Sequence, residues 1–303
     1  MSDQIAPVPA LALIGFGEAG STFARAAGWE ATARAWDLLA VRRAAMAEAG
    51  VFAAANAAEA LAGAPLVLSL VTADQALAVA RDYAPFLAPG ALWCDLNSVA
   101  PETKRAAAMA IEAAGGRYVD VAVLAPVDPA RLNVPLLVAG AGADEAVAAL
   151  SAVGFAKVRS VGVEVGRASA IKMIRSVMVK GVEALTAEMM LAAEAAGVVD
   201  EVLASLDASE KAHGWAERAA YNLERMATHG VRRAAEMEEA ARTLAALGVE
   251  PVMTTGTVRR QHIAAANASP LMSSEVETRG ATPDHGARSL DFARDERVLA
   301  EKG

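Results

Sequence analysis

The sequence predicts an α/β chain: a doubly wound parallel sheet over residues 1–165, an all-α domain over residues 166–268 entered by one long interdomain helix, and a polar tail over residues 269–303. Three observations predict it. Short apolar runs of strand length alternate with alanine-rich helical patterns from Leu11 to Val161. From Gly166 onward helical periodicity replaces the alternation. The first apolar run opens into glycines at positions 15, 17 and 20, where a strand must turn sharply into a helix.

Taken in order, Leu11 to Ile14 is a strand that passes into Gly15-Phe16-Gly17-Glu18-Ala19-Gly20 and then a helix. In this setting the glycines are a Rossmann dinucleotide cradle. Gly15 permits the turn, Gly17 lets a pyrophosphate approach the backbone, and Gly20 lets the helix pack on the sheet. The helix start adds unpaired N–H groups and the positive end of a dipole. Gly28 ends that helix, and Ala31 to Trp36 is a strand closing on Asp37. An acid about 20 residues past the glycines commonly bonds the adenosine ribose, although Asp37 also suits a helix N-cap. Its charge repels a 2′-phosphate, which favours NAD; Arg42 and Arg43 nearby keep NADP as the alternative.

Leu38 to Ala49 is helical, and Val51-Phe52 is a short strand. Pro65 to Val71 is apolar on both faces, as a buried parallel strand requires. Val71 and Thr72 at its carboxyl end should border the nicotinamide half of the cofactor. Helix Asp74–Leu87, strand Ala91–Asp95, a helix opened by Pro101, and strand Tyr118–Val123 follow. A proline-interrupted stretch leads to strand Leu136–Ala139, helix Asp144–Ala152 and strand Lys157–Val161. Ile171, Ile174, Met178, Val182, Leu185 and Met189 then recur at spacings of three and four, the mark of one amphipathic helix. Further helices fall over Asp200–Ser209, Ala212–Met226, Val231–Ala246 and Val258–Ala266, and the tail from Ser269 reads as mobile or docked on a partner.

Composition narrows the function. A 55% hydrophobic, 21% charged chain can fill a core, so it is globular. A net charge of -8 argues against a nucleic-acid surface, which needs clustered Lys and Arg. The single cysteine, Cys94, excludes an internal disulfide and points to the cytoplasm. No apolar stretch reaches the length of a membrane span, and no leader pattern opens the chain. No His, Cys or acidic cluster has ligand spacing, so no metal is expected.

Chemistry gathers in Gly166-Arg-Ala-Ser-Ala-Ile-Lys172-Met-Ile-Arg175-Ser176. Lys172, Arg175 and Ser176 share one helical face. A lysine can exchange a proton with a substrate hydroxyl, and an arginine offers a planar fork to a carboxylate. The same three residues are also what a solvated face would carry.

The glycine loop, Asp95-Leu-Asn97-Ser98-Val-Ala-Pro101, and Lys172 six residues after Gly166 resemble the β-hydroxyacid dehydrogenase family. That family includes the 3-hydroxyisobutyrate dehydrogenases and, more distantly, 6-phosphogluconate dehydrogenase. Lys-Met-Ile-Arg-Ser and the stretch from Met226 to Met237 look like a 6-phosphogluconate dehydrogenase-like branch with its own C-terminal domain type. The resemblance implies Lys172 as catalytic acid–base, Asn97 and Ser98 near the nicotinamide and substrate, and dimer contacts through the helical domain, in a homodimer or higher homo-oligomer. Departures matter too. Family members carry Asp-Ala-Pro-Val-Ser-Gly-Gly after the sixth strand, where this chain reads Asp120-Val-Ala-Val-Leu124-Ala-Pro126. The Asn-Asn pair after the lysine is Arg175-Ser176, and a late Lys-Asp pair is replaced by His229-Gly230. Leu124 and Pro126 would make that wall of the substrate pocket apolar, Arg175 would replace the lost anion contact with Ser176 beside it in the substrate site, and His229 would be a donor. The resulting expectation is hydride transfer between NAD(P) and a β-hydroxy acid or related alcohol, the small substrate being anionic. Two other readings stay open: an imine reductase on the same fold, which the lysine disfavours, and a non-catalytic NAD-binding regulator.

Overall fold

The computed structural model describes residues 10–30, 32–209 and 214–275. The chain divides into two compact units, Met1–Met178 and Val179–Gly303, and the division falls inside a helix, 13 residues past the 165/166 boundary read from the sequence.

The first unit is built on one eight-stranded sheet. Its elements are β1 (Leu11–Ile14), α1 (Glu18–Ala27), β2 (Ala33–Trp36), α2 (Ala40–Glu48), β3 (Phe52–Ala53), α3 (Ala57–Leu61), β4 (Leu66–Ser69), α4 (Ala76–Tyr83), β5 (Leu92–Asp95), α5 (Pro101–Ala113), β6 (Arg117–Val123), the short α6 (Val127–Ala130), β7 (Leu136–Ala139), α7 (Ala143–Ala152) and β8 (Val158–Ser160). The strand order is β3-β2-β1-β4-β5-β6-β7-β8. The chain starts mid-sheet, runs out to β3, then crosses back over β1 to β4. That reversal opens a crevice at the carboxyl ends of β1 and β4, where ligands of such sheets bind. All pairings are parallel except β6 with β7, which run antiparallel with Asp120 opposite Ala139.

Strand alternation sorts the core into two layers. Leu11 and Leu13 of β1 join Phe16, Phe23, Met46, Leu68 and Phe155 on one face. Ala12 and Ile14 join Val67, Trp93, Ile111 and Tyr118 on the other. With few aromatics available, three join distant segments of the first unit: Phe23 meets Phe155 edge-on at 4.9 Å between centroids, and the Trp29 indole donates to the Val153 carbonyl at 2.9 Å. Cys94 lies fully buried in β5, and burial pushes its thiol up to about 12.

The sequence reading passed over α3, although its cap was visible: the Glu59 N–H donates to Asn56 Oδ1 at 2.9 Å, and Glu59 Oε2 accepts from the Ala55 N–H at 2.5 Å.

Beyond the sheet come α8 (Arg167–Ala196), α9 (Val199–Ser209), α10 (Trp215–Ala246) and α11 (Val252–Glu275). Two expectations need correction. Gly230 does not separate two helices; α10 runs straight through it. A Cβ at Gly230 would stand 2.5 Å from the Gln261 carbonyl of α11 and 2.9 Å from the Ala265 Cβ. The glycine lets two helices approach, and the entropy it costs α10 is offset by that packing. Helix α11 also starts earlier and runs to Glu275, past the Ser269 at which the tail was placed; residues 276–303 lie outside the described residues. Glu188 of α8 anchors the start of α11, accepting from the Met253 N–H at 2.7 Å, the Thr254 N–H at 2.9 Å and the Thr254 hydroxyl at 2.5 Å. Among the described residues no helix is long and apolar enough to cross a membrane.

Candidate dinucleotide and proton-transfer site

The glycine loop has the geometry its residues demand. Gly15 sits at φ +94°, and a Cβ there would lie 2.5 Å from the Leu70 carbonyl, so only glycine can make this turn. A Cβ at Gly20 would lie 2.7 Å from the Gly15 carbonyl, which is how closely α1 packs on the loop. Gly17 differs: nothing lies within 4 Å of where its side chain would be. Its open side and the start of α1 border a cavity of about 760 Å³. Gly17 is also the N-cap of α1 and offers no side-chain acceptor, so the first-turn N–H groups keep donors for a ligand.

Asp37 binds this loop to the end of β2. Its Oδ2 accepts from the Phe16 N–H and its Oδ1 from the Leu39 N–H, both at 2.8 Å. Asp37 is not the helix cap the sequence also allowed: Leu39 is the N-cap of α2 and has no side-chain cap bond, while Asp37 holds the turn before it and lines the cavity. The two neighbouring arginines part ways. Arg43 folds back, donating to the Asp37 and Leu38 carbonyls at 2.9 and 2.8 Å and lying 5.1 Å from the centroid of the Trp36 ring. Arg42 lines the cavity.

Of the expected cofactor residues, Gly15, Gly17, Glu18, Ala19, Asp37, Val71 and Thr72 line this one cavity. Phe16 and Gly20 are buried beneath it. The sequence reading missed Trp36 and Tyr83, whose indole N–H and hydroxyl meet at 3.2 Å on the cavity wall. The position of Trp36 directly before Asp37 was a usable signal; Tyr83 had none.

A second centre forms past β5. The Lys172 Nζ of α8 donates to the Ser98 Oγ, bringing together residues 74 apart in sequence. Asn97 is buried, its N–H donating to Asp95 Oδ1 at 2.9 Å and its amide nitrogen to Ser69 Oγ at 3.0 Å. Asn97 thus shapes the loop from inside while Ser98 is exposed on it. Arg175 is exposed on α8, and the Ser176 hydroxyl donates to the Lys172 carbonyl at 2.9 Å. Leu124 packs with Ala122, Leu137, Ala139 and Ala168, so it supports the first turn of α8, and Pro126 is exposed. His229 is exposed on α10, in the second unit.

Beneath Ser98 lies a cluster that the sequence reading missed. Lys104, Asp95 and Asp120 are 0%, 1% and 0% exposed. The Lys104 Nζ donates to the Asp95 carbonyl at 2.6 Å and to Asp95 Oδ1 at 3.0 Å, and stands 3.5 Å from Asp120 Oδ1. The Tyr118 hydroxyl donates to Asp95 Oδ2 at 2.6 Å. Burial, and then the Asp95 charge, push that phenol well above its ordinary range, so it stays a donor. Asp120 Oδ2 accepts from the Gly166 N–H at 3.1 Å, the Ser169 N–H at 2.9 Å and the Ser169 hydroxyl at 3.0 Å. Within Pro101-Glu-Thr-Lys104-Arg nothing marks the lysine as buried. Among the described residues no group of three or more His, Cys, Asp or Glu side chains is placed to hold a metal ion.

Residues 10–161, half of the chain, match the family model described as the NAD binding domain of 6-phosphogluconate dehydrogenase. The chain belongs to this family. Residues 193–263 match a second model, described as a domain of unknown function, DUF1932. The chain is 38% identical to a conserved hypothetical protein from Sinorhizobium meliloti 1021, over 91% of this chain and 92% of that one, at a TM-score of 0.57. It is 30% identical to the conserved protein MTH1747, of unknown function and structurally similar to 3-hydroxyacid dehydrogenases, over 86% and 98% of the two chains at a TM-score of 0.56. An imine reductase from Streptomyces aurantiacus shares the fold at 22% identity and a TM-score of 0.70, over 86% and 99% of the chains. The uncharacterized 28.5 kDa protein in the 7S RNA 5′ region of Methanothermus fervidus is 29% identical over 145 residues, 48% of this chain and 54% of that protein. The chain thus spans about half the length of the curated relative it matches. Within this family, the glycine cradle, the open side of Gly17 and the cavity-lining Asp37 fit a nicotinamide dinucleotide, NAD or NADP.

Proposed function

We propose that this chain is an NAD(P)-dependent oxidoreductase that moves hydride between the nicotinamide and a β-hydroxy acid or related alcohol, with Lys172 as general acid–base. The contact of Lys172 with Ser98, at the carboxyl end of a central strand of an NAD-binding sheet, carries this reading. Bound cofactor supplies or accepts the hydride. The chain's own residues handle the proton: in oxidation the Lys172 amine takes it from the substrate hydroxyl, and in reduction the ammonium returns it. Ser98 holds the amine in place. Arg175, one turn along α8, offers its fork to a substrate carboxylate; Leu124, Pro126 and Ser176 are the remaining candidates for the substrate wall.

On this reading the charge of Asp37 makes NAD the preferred cofactor, residues 166–268 form the substrate and dimerisation domain, and the working protein is a homo-oligomer. The apolar stripe of α8 supports the last point: Ile174, Met178, Val182 and Leu185 are 73%, 49%, 48% and 44% exposed in a single chain, a face that a second copy would cover.

The test is an absorbance assay with NAD and NADP against a panel of β-hydroxy acids, aldehydes and cyclic imines. Lys172→Ala should lower kcat by about 10²-fold or more, the usual share of acid–base catalysis, while NADH affinity persists. Near-normal kcat in that variant would overturn the role of Lys172. Turnover of imines alone would replace the substrate class.

A further inference from the structure

We propose that the buried Lys104–Asp95–Asp120 cluster is the positioning device that sets Lys172 against Ser98. Each carboxylate holds one of the two parts that must meet. Asp95 holds the loop: its Oδ1 accepts from the Asn97 N–H at 2.9 Å, one residue before Ser98. Asp120 holds the helix: its Oδ2 takes the Gly166 and Ser169 N–H groups at 3.1 and 2.9 Å and the Ser169 hydroxyl at 3.0 Å. It thereby caps α8 from a neighbouring strand, and Lys172 follows Ser169 by three residues, close to one helical turn. Lys104 joins the halves, with its Nζ 3.0 Å from Asp95 Oδ1 and 3.5 Å from Asp120 Oδ1. One cation thus ties the Ser98 loop to the first turn of α8.

Stability alone gives no account of the arrangement. Desolvating buried charges can cost as much as their attraction returns, and apolar residues of equal volume are often as stable. Two carboxylates face one ammonium here, and Asp120 Oδ1 has no hydrogen-bond partner. What the cluster does supply is a fixed distance between two segments far apart in sequence. A reacting group shifted by about 1 Å can lose roughly 10²-fold in rate, so fixing that distance has functional weight. None of the three residues lines the cofactor cavity, and the cluster acts through Lys172; the proposal rests on the proton-transfer reading of that residue.

Three variants test it: Asp120→Asn, Ser169→Ala and Lys104→Arg. For each, kcat and KM are measured with the substrate found in the panel, NADH affinity by fluorescence titration, and the reactivity of the Lys172 amine by reductive methylation followed by peptide mass spectrometry, with exposed Lys157 as the internal reference. Asp120→Asn should lower kcat roughly 10- to 100-fold with KM and NADH affinity little changed, and should raise Lys172 labelling severalfold relative to Lys157. Ser169→Ala, which keeps every charge, should move labelling and kcat in the same direction but less. Lys104→Arg should retain more of the wild-type behaviour than Asp120→Asn. Wild-type kcat and labelling in a folded Asp120→Asn protein would overturn the proposal, as would a parallel loss of kcat, NADH affinity and melting temperature in all three. Should Asp120→Asn fail to fold, unchanged Lys172 labelling in Ser169→Ala overturns it. The labelling does not depend on turnover. A Lys172→Ala enzyme with normal kcat would therefore sink the acid–base reading while a labelling shift in Asp120→Asn still upheld the positioning.

Discussion

At the scale of single residues, Asp37 is one carboxylate that both holds its loop and lines the cavity. It receives the Phe16 and Leu39 N–H groups at 2.8 Å each and still faces the cavity. Asp37→Ala should therefore weaken NADH binding by about tenfold, the equivalent of about 1.4 kcal/mol, and weaken NADPH binding less, since the repelling charge goes with it. Titrations with both reduced cofactors check this; an unchanged ratio would leave Asp37 as a loop-holding residue alone. The glycines and Asp37 were legible in the sequence because each answers a local demand, a positive φ, a close approach or a strand end. Lys104 was not legible. A lysine among Glu102, Thr103 and Arg105 looks like surface, and its burial is decided by Asp95 and Asp120, which reach it only through the sheet register.

At the scale of elements, the strands were readable because a parallel sheet buries both faces and so demands continuous apolar runs. Their ends drifted by a residue or two, as ends do. The helical unit was harder. Gly230 reads locally as a break, and only its meeting with Gln261 and Ala265 shows why a continuous helix keeps it. The joint between α8 and α11 has a pH signature. Desolvation works to raise the pKa of Glu188, but the Thr254 hydroxyl and the Met253, Thr254 and Val252 N–H groups outweigh it and hold the carboxyl below its ordinary 4.5. A depressed folded pKa contributes stability that is fully present above the unfolded value and is lost as pH falls through the folded one. Glu188→Gln should thus cost about 1 kcal/mol at pH 7, seen as a lower melting temperature by circular dichroism. The gap from wild type should close as the pH drops below about 4.5. A constant gap would show that the side chain's shape, not its charge, matters.

At the scale of the whole molecule, the proposed oligomer rests on the exposed stripe of α8. The spacing of Ile174, Met178, Val182 and Leu185 was read correctly as amphipathic, yet the sequence could not say what covers it. Periodicity reports that a face is apolar, not whether its cover comes from the same chain. Light scattering should give at least twice the 31.0 kDa of one chain, and a Val182→Glu, Leu185→Glu protein should fall toward the single mass. The cavity is lined wholly by residues of the first unit, so the dissociated protein should still bind NADH. A single-chain mass for the wild type would remove the oligomer from the proposed function.

The placement of Cys94 bears on how the sheet can be watched. Packed in a middle strand and held in its protonated form, this sulfur is chemically silent for as long as the side chains packed over its face of the sheet stay in place. Alkylating reagents and peroxides can reach it only after that cover lifts. Without any engineered probe, the chain therefore carries its own clock for the opening of its nucleotide-binding half, one tick for each excursion that lets solvent in.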